Sequence, residues 1–184
     1  DVLRHECGGA DGFVCNIKAQ LHAGGRGKAG GILVAASALQ AAEHARALLG
    51  RRLVTKQTGT DGLPVSAVLV DERIAGAVEL YLAITIDRFR AIPVILASRQ
   101  GGVDIEDVAA KDPRAIVRQA LDIAEGVTSA AAARIADTLG LSGALAQACG
   151  VLVQNVWRLF ESSDASLIEI NPLVVTQDGR LLPL

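Results

Sequence analysis

The sequence predicts an α+β fold, in which strands lie toward both ends of the chain and helices lie mainly between residues 104 and 162. Apolar and polar residues alternate near the start, as they do in half-buried strands, and the middle of the chain has the longer apolar spacing of helices. A doubly wound parallel sheet would need strands and helices to alternate regularly, and this sequence lacks that alternation. With 51% hydrophobic residues among 184, the chain can form a packed core.

The individual elements follow from alternation, apolar runs and capping residues. Strands are expected at residues 13–20, 31–34, 65–70, 79–88, 93–98, 165–170, 173–176 and 180–184. Helices are expected at residues 37–49, 104–111, 113–118, 129–139 and 142–162. Ser37 and Ser142 are the predicted N-caps, and Gly50 ends the first helix. Residues 1–12 show no periodicity and stay unassigned.

The composition argues against several classes of function. The formal net charge of -2 lacks the basic excess of a protein that binds nucleic acid. Polar residues interrupt each apolar stretch before it could span a bilayer, and no signal-peptide pattern opens the sequence. Three cysteines at irregular spacing indicate reduced thiols rather than a disulfide framework or a zinc site. We therefore expect neither a nucleic-acid partner nor a membrane association.

The segment from Lys18 to Gly31, KAQLHAGGRGKAGG, is dense in glycine and in positive charge. Glycines let backbone N–H groups approach an anion, and Lys18, Arg26 and Lys28 add charge, so the segment suits a polyphosphate. A dinucleotide loop should open directly into a helix, and a P-loop needs Ser or Thr where Ala29 stands. A glycine-rich hairpin folded over nucleotide phosphates fits best, with a flexible surface turn as the alternative.

The same segment resembles the signature of succinyl-CoA synthetase β subunits. Four further stretches are similar to that family in the same order: residues 49–59 (LGRRLVTKQTG), 79–83 (ELYLA), 101–106 (GGVDIE) and 167–176 (LIEINPLVVT). The resemblance implies the ATP-grasp fold, in which two α+β lobes clamp a nucleotide. It places residues 13–184 in that domain, with no counterpart of the family's C-terminal CoA-ligase domain.

The resemblance also implies roles for individual residues. The nucleotide-binding residues that it implies are Lys18, Gly25, Arg26, Gly27, Asp71, Ile74 and Glu79. The first four would hold phosphate oxygens, through two cationic side chains and two backbone N–H groups. The last three would hold the base-and-ribose end. The family usually has Glu where Asp71 and Gln100 stand. No catalytic residue is expected in this chain, because the family's phosphorylated histidine lies on the partner α subunit.

Glu169 and Asn171 lie two residues apart on a predicted strand, so both side chains point to one face. Such an oxygen pair suits Mg²⁺, and the resemblance implies that Asn171 is the metal ligand. The family's second ligand is an Asp just beyond the next strand. A three-residue hairpin loop with Gly179 in the left-handed position would place the residue after Leu184 opposite Asn171.

The implied activity is that of an acid–thiol ligase, a succinate–CoA ligase of the ADP- or GDP-forming type in the tricarboxylic acid cycle. Phosphoryl groups would pass between ATP/ADP or GTP/GDP and the histidine of an α subunit, in a heterodimer or heterotetramer, coupled to succinyl-CoA and succinate. The compartment would be the bacterial cytoplasm or the mitochondrial matrix. Two alternatives stay open: a segment of a related malate–CoA ligase or ATP-citrate lyase, and a truncated, catalytically silent nucleotide-binding module.

Overall fold

The computed structural model describes residues 14–74 and 76–184. The chain divides into two compact units, Asp1–Ile74 and Ala75–Leu184, which are called unit 1 and unit 2. The unassigned residues 1–12 and the first position of the predicted strand, Phe13, lie outside the described residues. Both units combine helices with antiparallel sheets, which confirms the predicted α+β class.

Unit 1 is built from short strands and one helix. In chain order the elements are β1 (Cys15–Gln20), β2 (Ile32–Ala35), α1 (Ala38–Leu48), β3 (Arg52–Leu53), β4 (Leu63–Pro64) and β5 (Ala67–Glu72). Strands β2, β1 and β5 form a three-stranded antiparallel sheet with β1 in the middle, and β3 pairs with β4. The predicted N-cap is confirmed, because the Ser37 hydroxyl accepts a hydrogen bond from the Gln40 N–H at 3.2 Å.

Apolar and polar residues alternate along β1, and the apolar ones lie on the face of the sheet that α1 covers. Cys15, Ile17 and Ala19 are completely buried and form a core with residues of α1. The polar residues between them, Asn16, Lys18 and Gln20, lie on the opposite face and are half-buried. The period-two pattern read from the sequence therefore gives the correct face of the strand. It also places Lys18 on the side of the sheet that carries no helix core.

Unit 2 is a five-stranded antiparallel sheet with helices packed against it. Its elements are β6 (Gly76–Asp87), β7 (Ile92–Ser98), α2 (Ile105–Lys111), β8 (Val117–Ala120), α3 (Ser129–Thr138), α4 (Gly143–Ser162), β9 (Leu167–Thr176) and β10 (Leu181–Pro183). The strand order is β10-β9-β6-β7-β8. Residues of α3 and α4, among them Ile135, Val153 and Phe160, share one buried cluster with Leu82 and Ile95 of the central strands. Apolar burial between the sheet and these two helices stabilises the unit.

The predicted helix over residues 113–118 is wrong. Pro113–Ala115 forms a single 3-10 turn, which the Asp112 side chain caps by accepting from the Arg114 N–H at 3.0 Å. The chain then forms β8, which is the outermost strand on one side of its sheet and pairs with β7 alone. Most side chains of this edge strand are exposed, so it lacks the alternation that would have revealed it in the sequence.

Residues 165–170 and 173–176 were expected to be two strands, but they belong to one continuous strand, β9. The sequence suggested a break because Pro172 cannot donate a ladder hydrogen bond. In the structure, Leu80 pairs with Leu173 and Leu82 pairs with Ile170, so one residue of β6 faces two residues of β9. This irregularity accommodates the proline without ending the strand.

The hairpin that joins β9 to β10 has the predicted form. The Thr176 N–H donates to the Arg180 carbonyl at 2.9 Å, which leaves three residues in the loop, and Gly179 has a φ of 77°. Pro183 pairs with Leu173.

Within residues 14–74 and 76–184, every helix is too short or too polar to cross a membrane.

Candidate functional site

The glycine-rich segment of unit 1 folds into a compact turn between β1 and β2. The Ala29 N–H donates to the Gly25 carbonyl at 3.2 Å, and the Gly31 N–H donates to the Arg26 carbonyl at 2.8 Å. Gly25 has a φ of 74°, a conformation that favours glycine. The segment is therefore an internally hydrogen-bonded loop.

The loop also leaves donors available for a ligand. Within the described residues, the N–H groups of Gly25 and Gly27 donate no hydrogen bond, whereas the Gly24 N–H is taken by the Gln57 side chain at 2.7 Å. Glycine at these positions keeps side chains away from the backbone donors. Unpaired N–H groups in a loop that also carries cations are the elements of an anion site.

Lys18 and Asp71 form an ion pair on the helix-free face of the three-stranded sheet. The ammonium lies 2.6 Å from Asp71 Oδ2, and the side chains are 16% and 27% exposed. The register explains the contact, because Asn16 pairs with Asp71 and Lys18 pairs with Leu69, so the two charges are diagonal neighbours. The sequence assigned these residues to opposite ends of a nucleotide; the structure brings them together.

The other oxygen of this carboxylate has no such partner. Asp71 Oδ1 is buried and accepts no hydrogen bond from the part of the chain that the structure describes. A buried, unsatisfied acceptor costs stability, and this one lies beside a cation that was predicted to bind phosphate.

Two further predicted residues of unit 1 have defined positions. The guanidinium of Arg26 donates to the Ala19 carbonyl at 3.0 Å, so the side chain folds back against the end of β1. This contact holds a positive charge at the base of the glycine-rich loop. Ile74 is half-buried at the end of unit 1, just beyond the Arg73 N–H, which donates to the Val14 carbonyl at 3.1 Å.

In unit 2, Glu79 supports the loop that contains Gly101 and Gly102. The Gly101 N–H donates to the Glu79 carbonyl at 2.9 Å. A Cβ at Gly101 would lie 2.1 Å from the Leu80 carbonyl oxygen, and a Cβ at Gly102 would lie 1.8 Å from Glu79 Oε2. Gly101 is therefore required by the close approach of this loop to the β6 backbone, whereas Gly102 is favoured by its φ of 68°. Glu79 is the fourth residue of β6 rather than its first, as the sequence had suggested.

Asn171 clamps the same loop with both ends of its amide. Its Oδ1 accepts from the Gly102 N–H at 2.7 Å, and its Nδ2 donates to the Val103 carbonyl at 2.9 Å and to Glu169 Oε1 at 3.3 Å. The predicted metal ligand is thus also a structural contact for the backbone. The sequence could not show this, because the loop lies about seventy residues earlier in the chain.

The neighbouring Tyr81 of β6 is buried, with a side chain that is 3% exposed. Burial, followed by the charges of Glu169 and Glu106, raises the pKa of the Tyr81 hydroxyl well above its ordinary value. The two nearby carboxylates, Glu169 and Glu106, add negative charge that suits a cation. The described residues contain no group of three or more His, Cys, Asp or Glu side chains placed to hold a metal.

An Mg²⁺ ion nevertheless fits this donor set. Magnesium in nucleotide sites is bound by one or two protein oxygens and takes its other ligands from phosphate and water. Asn171 Oδ1 has a second lone pair besides the one used by Gly102, and the Glu169 carboxylate lies beside it. The chain therefore offers two hard oxygens on one face of β9, as the two-residue spacing of Glu169 and Asn171 in the sequence predicted.

A comparison with protein-family models decides the family of this chain. Residues 9–175 match the family model described as an ATP-grasp domain. The chain belongs to the ATP-grasp family. This confirms the fold that the resemblance implied, and membership implies a nucleotide substrate.

Individual relatives show which members of the ATP-grasp family this chain is similar to. The β subunit of succinate–CoA ligase [ADP-forming] from Trichlorobacter lovleyi is 48% identical over 170 residues, covering 92% of this chain and 44% of the relative. The corresponding subunit from Geobacter sulfurreducens is 46% identical over the same length and coverage. The sequence resemblance to succinyl-CoA synthetase β subunits is therefore confirmed. The chain spans less than half the length of these relatives.

A solved structure supports the fold independently. ATP citrate lyase from Methanothrix soehngenii, in complex with citrate and coenzyme A, matches this ATP-grasp chain with a TM-score of 0.65 at 21% identity. The match covers 92% of this chain and 37% of that protein. At this level of identity the likeness concerns the fold alone.

Proposed function

We propose that this ATP-grasp chain is the nucleotide-binding part of the β subunit of a succinate–CoA ligase. The relatives that carry this name, in its ADP-forming version, are 48% and 46% identical over 92% of the chain. The reaction would transfer a phosphoryl group between the nucleotide and a histidine of a partner α subunit, coupled to succinate and succinyl-CoA. The bacterial origin of the relatives favours the cytoplasm as the compartment.

Unit 1 would bind the phosphates. Lys18 and Arg26 supply two positive charges at the base of the loop, and Gly25 and Gly27 supply backbone donors with no acceptor in the described residues. Such fixed donors stabilise charge without having to reorganise when phosphate arrives. The observation that carries the proposal is this combination of unpaired N–H groups in the loop with two cationic side chains held at its base.

The base-and-ribose end would be held by the remaining predicted residues, Asp71, Ile74 and Glu79. Asp71 can accept a hydrogen bond through Oδ1, which is buried and unsatisfied in the described structure. Its other oxygen keeps the contact to Lys18, so the same carboxylate can serve both the ligand and the cation.

Asn171 would hold Mg²⁺, with Glu169 beside it. When bound, the metal neutralises part of the charge on the phosphates, which is its usual contribution to phosphoryl transfer. The chain's own share is to position the oxygens of Asn171 and Glu169 on one face of β9 and to keep that face anchored to the loop at Gly102.

Calorimetry on the 184-residue chain tests the proposal directly. We expect ADP and ATP to bind more tightly than NAD, and adenosine to bind weakly because it lacks phosphate. Tighter binding of NAD would contradict the proposal. With its α partner, the full-length β subunit should form succinyl-CoA, whereas the 184-residue chain alone should not. Nucleotide binding without turnover by the complete complex would favour a catalytically silent module instead.

A further inference from the structure

A cavity of about 290 Å³ opens in unit 2 at the end of β7, and none of the residues assigned to nucleotide or metal is among those that line it. Its lining includes Ser98, Arg99, Gln100, Arg114 and Thr138, and no carboxylate lines it. Two arginines without an acidic partner in a shared cavity produce a positive potential there. The neighbouring acids Asp112 and Asp137 do not contribute to the lining.

Arg99 is held in place by the C-terminal end of α3. Its Nε donates to the Thr138 carbonyl at 2.9 Å, and one terminal nitrogen lies 3.4 Å from the Asp137 carbonyl. Gly140 makes room for this arrangement, because a Cβ there would lie 2.8 Å from the guanidinium. These carbonyls orient the guanidinium but carry only partial negative charge, so its full charge is not neutralised.

Two other lining groups have unused hydrogen-bonding capacity. Ser98 is 1% exposed, and its hydroxyl accepts from the Gln100 N–H at 3.1 Å. Within residues 14–74 and 76–184 its proton has no acceptor, although a hydroxyl can donate as well as accept. The Arg114 side chain makes no hydrogen bond or ion pair with the described residues. A buried hydroxyl and an unpaired guanidinium therefore both lack an acceptor that an oxyanion could supply.

We propose that this cavity binds a phosphate group, either free or on a small metabolite. Arginine forks match the oxygens of a phosphate, and a serine hydroxyl adds a third donor. Gln100 contributes a neutral amide instead of a negative charge. The residues that line the cavity all belong to unit 2.

The test is an NMR titration of the isotope-labelled 184-residue chain with inorganic phosphate, at ionic strength held constant with chloride. We expect saturable shifts of the backbone amides of residues 98–102 and 114–117. Glycerol phosphate serves as a second ligand; its saturation of the same amides would extend the site to phosphate monoesters. Acetate should not saturate them, and binding of acetate as tight as that of phosphate would overturn the assignment.

Variants make the test specific. Arg114→Ala removes a side chain without internal bonds, so the fold should persist while phosphate affinity falls roughly tenfold. Gln100→Glu places a carboxylate in the cavity and should weaken phosphate to a similar degree. Arg158→Ala is the matched control, because Arg158 lies on α4 and bonds to Asn155 at 3.2 Å. Unchanged affinity in Arg114→Ala, or shifts that never saturate, would refute the site.

Discussion

Replacing Lys18 by Met separates two roles that the Lys18–Asp71 pair combines. Methionine keeps the length of the side chain but removes the ammonium, so Asp71 loses the partner of Oδ2 while Oδ1 already has none in the described structure. Breaking a fully buried pair costs about 3–5 kcal/mol, and an exposed pair contributes about 0–1 kcal/mol. With side chains 16% and 27% exposed, we expect an intermediate loss of about 1–2 kcal/mol in the free energy of unfolding.

The double variant Lys18→Met/Asp71→Asn removes the uncompensated charge as well. Most of the lost stability should therefore return, which urea unfolding of both variants measures. ADP affinity should not return, because one charge-assisted contact to phosphate is still missing. That contact contributes about 1.5–3 kcal/mol, roughly a tenfold to hundredfold change in affinity.

Calorimetry with ADP and adenosine completes the test. Lys18→Met should leave adenosine binding nearly unchanged, and any loss of adenosine affinity seen only in the double variant belongs to Asp71. Lys111→Met, an exposed lysine on α2, is the matched control and should change neither property. If Lys18→Met weakens ADP and adenosine equally, Lys18 supports folding and does not contact phosphate. If the double variant binds ADP as the parent does, the phosphate site lies elsewhere.

Three further predictions concern unit 2. Gly101→Ala should lower the free energy of unfolding by about 3 kcal/mol, because its Cβ would lie 2.1 Å from the Leu80 carbonyl oxygen. The control Gly150→Ala, whose Cβ would have ordinary contacts, should be neutral or stabilising. Equal effects of the two substitutions in urea unfolding would contradict the explanation. Burial raises the pKa of the Cys149 thiol to about 11 from an ordinary value of 9.0, so the unfolded chain loses this proton first. Stability should therefore fall from pH 9 toward pH 11 more steeply in the parent than in Cys149→Ala, and parallel curves would argue against the shift. Asn171→Ala should weaken Mg²⁺-dependent ADP binding more than metal-free binding, as calorimetry with and without EDTA will show.

Local patterns predicted much of the fold. The faces of β1, the helix that begins after Ser37 and the three-residue loop at Gly179 each depend on a few neighbouring residues, and each agrees with the structure. The errors arose where tertiary context decides. The edge strand β8 has too little burial to show alternation, and Pro172 lies inside β9 because a register irregularity accommodates it.

The candidate site shows the same division between local and distant information. Motif composition alone suggested the phosphate loop and the oxygen pair, because the residues of each lie within a few positions of one another, and both remain predictions. The contact between Lys18 and Asp71 spans 53 positions, and the contact between Asn171 and Gly102 spans 69. Such contacts depend on which strands and loops become neighbours, and one sequence contains no direct record of that pairing.

Asn171 illustrates why the amide itself matters at this position. Its Nδ2 donates to the Val103 carbonyl and to Glu169 Oε1, and a carboxylate could make neither contact. An aspartate would also place a second negative charge beside Glu169, and the two carboxylates would repel each other. The amide oxygen still has a lone pair for a cation after it accepts from Gly102. One neutral side chain can therefore hold the loop and offer a metal an oxygen, whereas an aspartate could still accept from Gly102 but would lose the donor to the Val103 carbonyl.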